Sequence, residues 1–303
     1  MKKIYEFIIG ATALVVFPSM GIFGESSESS KNYNTEELKE NRLNLVEEAG
    51  AGTFETRMKA ITECGLGRMH YCLRVLIENL DDPNPAIRNE SIRGLGFLGM
   101  EEAVEPLLKQ IEKLDKELEE NKKKEEEYLE KLKNEKDMTQ RSYYVTIIQG
   151  LHDDYKMMLN AKAAALWAIG SIEAESAVDK IKAYIKDKED SIRRITATAI
   201  GEIGAKSGLP ILEEAIEAEK VDRVKVDMLK AYLLIDSTKT KYIDQVILLL
   251  RDDEPWVRYY AANAVYDLNL FNAHVPLKRA LKIESDPMVR KALYRAFEKS
   301  AGH

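Results

Sequence analysis

Asp82-Pro83-Asn84-Pro85-Ala86-Ile87-Arg88 leads into Gly94-Leu95-Gly96-Phe97-Leu98-Gly99 and then Ala103-Val104-Glu105-Pro106-Leu107-Leu108. Asp82 offers a side-chain oxygen where a starting helix needs a cap, and Pro83 fits a loop or first turn. Ile87, Ile92 and Leu95 stand one before, four after and seven after Arg88, which places them on one stripe of an α-helix. The reading is therefore a loop, an amphipathic helix, a turn and a second helix.

That unit recurs. Basic residues fall at Arg57, Arg88, Lys162, Arg193, Lys225, Arg258 and Arg290, and apart from one long gap they are 31 to 33 apart (57 to 88, 31; 193 to 225, 32; 225 to 258, 33). The residue before the mark is Ile87, Ile192, Val224, Val257 or Val289. Four after it come Ile61, Ile92, Leu166, Ala197, Leu229, Ala262 and Tyr294; seven after it come Cys64, Leu95, Ile169, Ile200, Tyr232, Val265 and Phe297. Eight after it, Gly65, Gly96, Gly170 and Gly201 predict close backbone approach or a turn, whereas Leu233 and Tyr266 replace glycine in later units. A fixed period of this size predicts a stacked helical solenoid.

With Ser191-Ile192-Arg193, Ala199-Ile200-Gly201-Glu202-Ile203-Gly204 and Glu254-Pro255-Trp256-Val257-Arg258 added, the chain resembles the HEAT family, most closely its short-repeat, phycobilisome-lyase-like type. The resemblance spans roughly residues 53 to 300 and implies an all-α, HEAT-like α-solenoid of about six two-helix repeats. It implies that the basic ladder pairs with an Asp from a neighbouring unit, a structural role. Asp82, Asp190, Asp253 and Asp286 are the expected helix caps. It also implies that second helices line the inner surface, where Glu213, Glu214 and Glu217 beside Lys182 and Lys186 would form bands of alternating charge.

The remaining segments complete a domain plan. Residues 1–24, with Lys2 and Lys3 before an apolar run from Phe7 to Phe17 and small residues beyond, read as a signal peptide. Residues 25–34 are a Ser- and Asn-rich linker, and 35–52 an N-terminal capping helix with Leu38, Leu43, Leu45 and Val46 on its apolar face. Repeats 1 and 2 take 53–111, repeats 3 to 6 and a C-terminal cap take 158–303, and 112–157 is an insertion. From Glu112 to Asp137, 19 of 26 residues are charged with mixed sign, so this stretch is no core element. Its composition favours helix, with Leu114, Leu118, Leu129 and Leu132 as a thin seam and a return near Asn134 to Thr139. A projecting helical arm follows, offering coiled-coil docking or self-association, or serving as a solvated spacer.

The net charge of −7 disfavours nucleic acid, which rewards a basic face. Cys64 and Cys72 flank a Gly65-Leu66-Gly67 turn; they are either a disulfide across a helical hairpin or two small buried residues. His70, His152, His274 and His303 show no metal-ligand spacing, and His152-Asp153-Asp154 reads as a polar, turn-like segment. No catalytic residue, cofactor or metal is expected. Candidate partner-binding residues are Tyr143, Tyr144 and Tyr155 on the arm, Trp256 and Tyr259 beside Arg258, and Glu213 and Glu217. The expected function is an exported, non-catalytic scaffold that binds another protein in a bacterial envelope, most simply the periplasm, without a small-molecule substrate. The alternatives are a bilin lyase-like or chromophore-handling chaperone, implied by the resemblance, and a secreted surface adhesin.

Overall fold

The computed structural model describes residues 35–301, with side chains from Lys39 onward. The signal and linker assigned to residues 1–34 lie outside the described residues, as does the side chain of Leu38. The chain divides into two compact units, one ending at Asn41 and one beginning at Arg42. The described part of the first is the opening of helix α1 (Thr35–Ala51).

Every regular element among the described residues is helical. The first helices of successive units are α2 (Phe54–Leu66), α4 (Pro85–Leu98), α6 (Met138–Ile172), α8 (Asp190–Ile203), α10 (Asp222–Ile235) and α12 (Pro255–Asp267). Their partners are α3 (Leu73–Glu78), α5 (Val104–Asn134), α7 (Val178–Ile181), α9 (Gly208–Ala218), α11 (Thr240–Leu249) and α13 (His274–Ile283), several with 3-10 turns attached. A final helix, α14 (Pro287–Ala301), packs on α12. The first helices pack on one another in order, α2 on α4, α4 on α6, α6 on α8, α8 on α10 and α10 on α12. The fold is an all-α solenoid of stacked two-helix units.

The glycine column explains how closely they pack. A methyl built on Gly201 would stand 2.7 Å from the Cα of Ala231, and one on Gly65 would stand 2.7 Å from the Cα of Gly94. Each residue met there lies six after the next basic mark. The column therefore serves backbone approach between units. Turns use other residues: Gly99 (φ 69°) and Gly204 (φ 71°) end α4 and α8 in the left-handed region, where glycine carries no Cβ penalty.

Several details depart from the sequence reading. Leu43 is 70% exposed, so the docked face of α1 is Leu45, Val46 and Ala49. Tyr294, on the inward column in other units, is 54% exposed because α14 has no following described helix to cover it. At two helix starts the aspartate bond lies in the loop and no side chain caps the helix: Asp187 Oδ1 accepts from Glu189 N, and Asp252, not Asp253, accepts from Glu254 N. Asp190 instead is the first residue of α8 and binds arginines. Asp82 and Asp286 do accept from backbone N–H groups at helix starts.

Candidate interaction surface

The basic ladder is built from one atomic arrangement used repeatedly. Arg258 Nη1 donates to the carbonyls of Asp252 and Asp253, while Nε and Nη2 form a fork on Glu284 at 2.6 and 2.9 Å. Arg193 repeats this with the carbonyls of Asp187 and Lys188 and a fork on Glu219 at 2.7 and 3.2 Å. A planar guanidinium matches a carboxylate in this bidentate way. Glu284 and Glu219 each accept two further backbone N–H bonds from the loop that follows them. The Arg258 hydrogen bond holds the Glu284 carboxyl below the ordinary carboxylate range despite its burial. Burial opposes the same lowering at Glu219, where Arg193 and the loop N–H groups prevail.

Other rungs vary the theme. Arg57 pairs with Asp82 at 2.6 Å and reaches Asn79 and the carbonyl of Ala49, which fastens the end of α1 to the first repeat. Lys162, 4% exposed, holds Asp115 at 2.6 Å and Asp187 at 2.7 Å, with its ammonium 4.6 Å from the Tyr184 ring centre. Burial, and then Asp115, push the Tyr184 hydroxyl up to about 12. Among the described residues, Arg88, Lys225 and Arg290 have no carboxylate within ion-pair distance. Family resemblance implied Asp partners throughout, but in units 4 and 6 the longer Glu reaches from the end of the second helix.

The insertion is a pair of long helices. α5 runs unbroken to Asn134 and α6 begins at Met138, so the joining turn is residues 135–137. Asp137 caps α6 by accepting from Gln140 N, and Arg141 closes α5 by donating to the carbonyls of Leu132 and Glu135. The two helices pack along each other. Only Leu114, Leu118 and Asn121 on the charged stretch are buried; Leu129 and Leu132 are half-buried. His152-Asp153-Asp154 lies inside α6, not in a turn, and Asp153 faces Lys156 at 4.0 Å. Periodic apolar residues on both sides of this triplet carry the helix through it.

The aromatic candidates divide into two groups and one outlier. Tyr143 is 56% exposed and leans on Tyr144, which in turn packs on Tyr128. Trp256 is 48% exposed and rests against Tyr259 and Tyr260, with the Arg194 guanidinium 4.3 Å over the Tyr260 ring. Tyr155 is instead tied to the stack, donating to Glu189 at 2.8 Å. Burial first, then that bond, push its hydroxyl above the ordinary range.

The charged bands on the second helices are paired between units. Lys186 meets Glu214 at 2.6 Å, Lys239 meets Glu213 at 3.3 Å and Lys241 meets Glu217 at 3.9 Å, while Lys182 turns to Asp179 in its own unit. Lys239 and Lys241 were not singled out in the sequence, and they stand 26 and 24 residues after Glu213 and Glu217, short of one full repeat, so the period alone does not find them. Exposed pairs of this kind contribute about 0–1 kcal/mol each.

Cys64 and Cys72 close the first repeat, with sulfurs 2.16 Å apart in a disulfide. Among the described residues no group of three His, Cys, Asp or Glu side chains is placed to hold a metal ion, and no helix is long and apolar enough to cross a membrane.

Stacked helix pairs braced by charged rungs define an α-solenoid. The family model described as HEAT repeats matches residues 44–120 and 146–232, and the chain belongs to the HEAT-repeat family. The match omits the outer part of the hairpin and stops at 232, while the helical stack continues to Ala301. Among solved structures the fold is similar to a chain of the complex of CpcE and CpcF of phycocyanin lyase from Nostoc sp. (13% identity, TM-score 0.48, 92% of this chain and 99% of that one). It is also similar to human deoxyhypusine hydroxylase in complex with glycerol (13% identity, TM-score 0.33, 90% and 92% covered). An engineered protein matches at 16% identity with a TM-score of 0.32, covering 86% of this chain and 96% of that one. No curated protein matches the sequence.

Proposed function

We propose that this HEAT-repeat chain is a non-catalytic scaffold that holds another protein, and that it works outside the cytoplasm in a bacterial envelope. One observation carries the binding role: Tyr143 and Trp256 stand about half exposed or more, each braced by neighbouring rings. Large aromatics held in place before contact lose little freedom on binding and are the residue type that dominates interface energetics. The ladder residues, by contrast, are mostly consumed within the stack. Export is supported by the signal-like residues 1–24 and by the disulfide, which persists in oxidising compartments.

The test is cross-linking and mass spectrometry from native cells with wild type, Tyr143→Ala and Trp256→Ala. Loss of the same cross-linked protein in either variant, with an unchanged melting curve, is the expected result. An identical cross-link pattern in both variants would reject these anchors. Fractionation with N-terminal sequencing tests export separately, and recovery of an intact Met1 in the cytoplasm would refute it.

A further inference from the structure

We propose that the cleft at the base of the α5–α6 hairpin binds a small zwitterion with an apolar body, chemically a free apolar α-amino acid, its carboxylate seated on the unfilled edge of Arg88. One rung of the ladder differs from its own repeats. Arg88 reproduces the first half of the arrangement, with Nη1 donating to the carbonyls of Asp82 at 2.7 Å and Pro83 at 3.0 Å. In Arg193 and Arg258 the other edge, Nε and Nη2, grips a glutamate 26 residues further on. Twenty-six residues after Arg88 stands Leu114, and the next residue, Asp115, is taken by Lys162. The fork of Arg88 is thus preorganised by its loop and left without a carboxylate. Lys225 and Arg290 also lack one, but a lysine has no planar edge, and Arg290 is exposed in the last helix.

Arg88 and Leu114, the residue standing where the other rungs have their glutamate, both line a cleft of about 360 Å³, within the size range of ligand pockets, roughly 300–1,000 Å³. Its apolar lining is Leu114, Leu151, Met157, Met158 and Ala161. Glu117, Glu120, Lys124 and Asp154 also line it, and all but half-buried Glu117 are exposed. Asn121, 7% exposed, lines it as well, and its Oδ1 has no hydrogen-bond partner in the chain.

Charge selects among occupants. Arg88 and Lys124 stand against three carboxylates, so a simple carboxylic acid would satisfy the fork but meet repulsion around it. An amine alone would leave the fork empty. A molecule with both groups places its carboxylate on Arg88 and its ammonium toward Glu117, Glu120 and Asp154, with the apolar body on the leucine and methionine side chains.

Isothermal titration of the full chain with L-leucine, N-acetyl-L-leucine and L-leucinamide decides this. Leucine is expected to bind saturably, and each derivative, lacking one charge, at least about tenfold more weakly. Arg88→Lys tests the fork without losing the rung, because lysine already fills this column at 162 and 225. It should weaken leucine at least about tenfold with an unchanged melting temperature. No saturable leucine binding by wild type up to about 10 mM, where even a millimolar site fills, would overturn the proposal. So would equal binding by Arg88→Lys, or N-acetyl-L-leucine binding as well as leucine.

Discussion

Asp115 gives its carboxylate to Lys162 at 2.6 Å, reaching from the continuation of α5 to the first helix of the following unit. Asp187 meets the same ammonium at 2.7 Å from the other side. A cation 4% exposed needs an acid beside it and its acids need the cation, because an unpaired buried charge is costly. Lys162→Met is therefore expected to destabilise the chain by about 3–5 kcal/mol. Asp115→Asn should cost much less, since Asp187 remains and Asp115 is already 38% open to water. Urea denaturation of both variants checks the ranking, and a Lys162→Met loss under about 1 kcal/mol would contradict it.

The glutamate rungs set the acid limb of stability. Glu284 is held below its ordinary pKa by Arg258, and Glu219 ends below it with Arg193 outweighing burial. A carboxyl whose folded pKa is depressed stabilises the fold above its unfolded value, about 4.3, and that contribution disappears as pH falls through the folded value. Melting temperature should thus hold from neutrality to about pH 4.5 and drop below it. Glu284→Gln should lower it at pH 7 and shallow the drop. A variant that melts like wild type at pH 7 would show that the rung contributes nothing.

Gly201→Ala should destabilise, against the usual sign for a helix interior. Alanine gains about 1 kcal/mol of helix propensity over glycine, but the added methyl lands 2.7 Å from the Cα of Ala231. Backbone cannot move aside as a flexible side chain can, and overpacking costs about 1–3 kcal/mol or more. Thermal melts of Gly201→Ala, with Gly150→Ala as a control whose Cβ meets nothing, separate the two effects. A Gly201→Ala protein more stable than wild type would show that the units slide apart easily.

Periodicity made the fold legible: the columns around each basic mark define helices, and the glycine column marks where those helices touch. The pairing along the ladder was less so. Arg193 and Arg258 find glutamates at a constant offset, yet the insertion redirects Asp115 from the Arg88 rung to Lys162. That exchange depends on α5 continuing straight past its normal end, which composition suggests without fixing where residue 115 faces. Leu43 and Tyr294 depart from the stripe for a related reason, since the first and last described helices each have a described neighbour on one side, and their apolar stripes are only partly covered by described residues.

The disulfide gives a test of both chemistry and compartment. Cys64 and Cys72 are eight residues apart, and closing so short a loop in the unfolded chain is worth about 2–3 kcal/mol in the chain-entropy model. Thiol titration of denatured, unreduced protein from native cells should find no free thiol, and two after reduction. Cys64→Ala with Cys72→Ala should lower stability by about that amount. Two free thiols before reduction would remove both the bond and its support for export.

The separable part of the hairpin is shorter than the charged insertion. Leu114 and Leu118 are buried, Asp115 serves Lys162 and Tyr155 serves Glu189, so residues near the base belong to the stack. Farther out, salt bridges such as Lys123 with Glu119 and Lys131 with Glu127 are exposed and contribute little to the fold. Replacing residues 122–149 by a short Gly-Ser loop should leave the melting temperature within a few degrees of wild type, while removing Tyr143 and its supporting rings. If the hairpin is a docking element, the cross-linked partner seen with wild type is lost while circular dichroism stays helical. A product that unfolds would show that the outer hairpin helps hold α4, α6 and α8 together; a folded product that keeps its partner would assign binding to Trp256 and its neighbours.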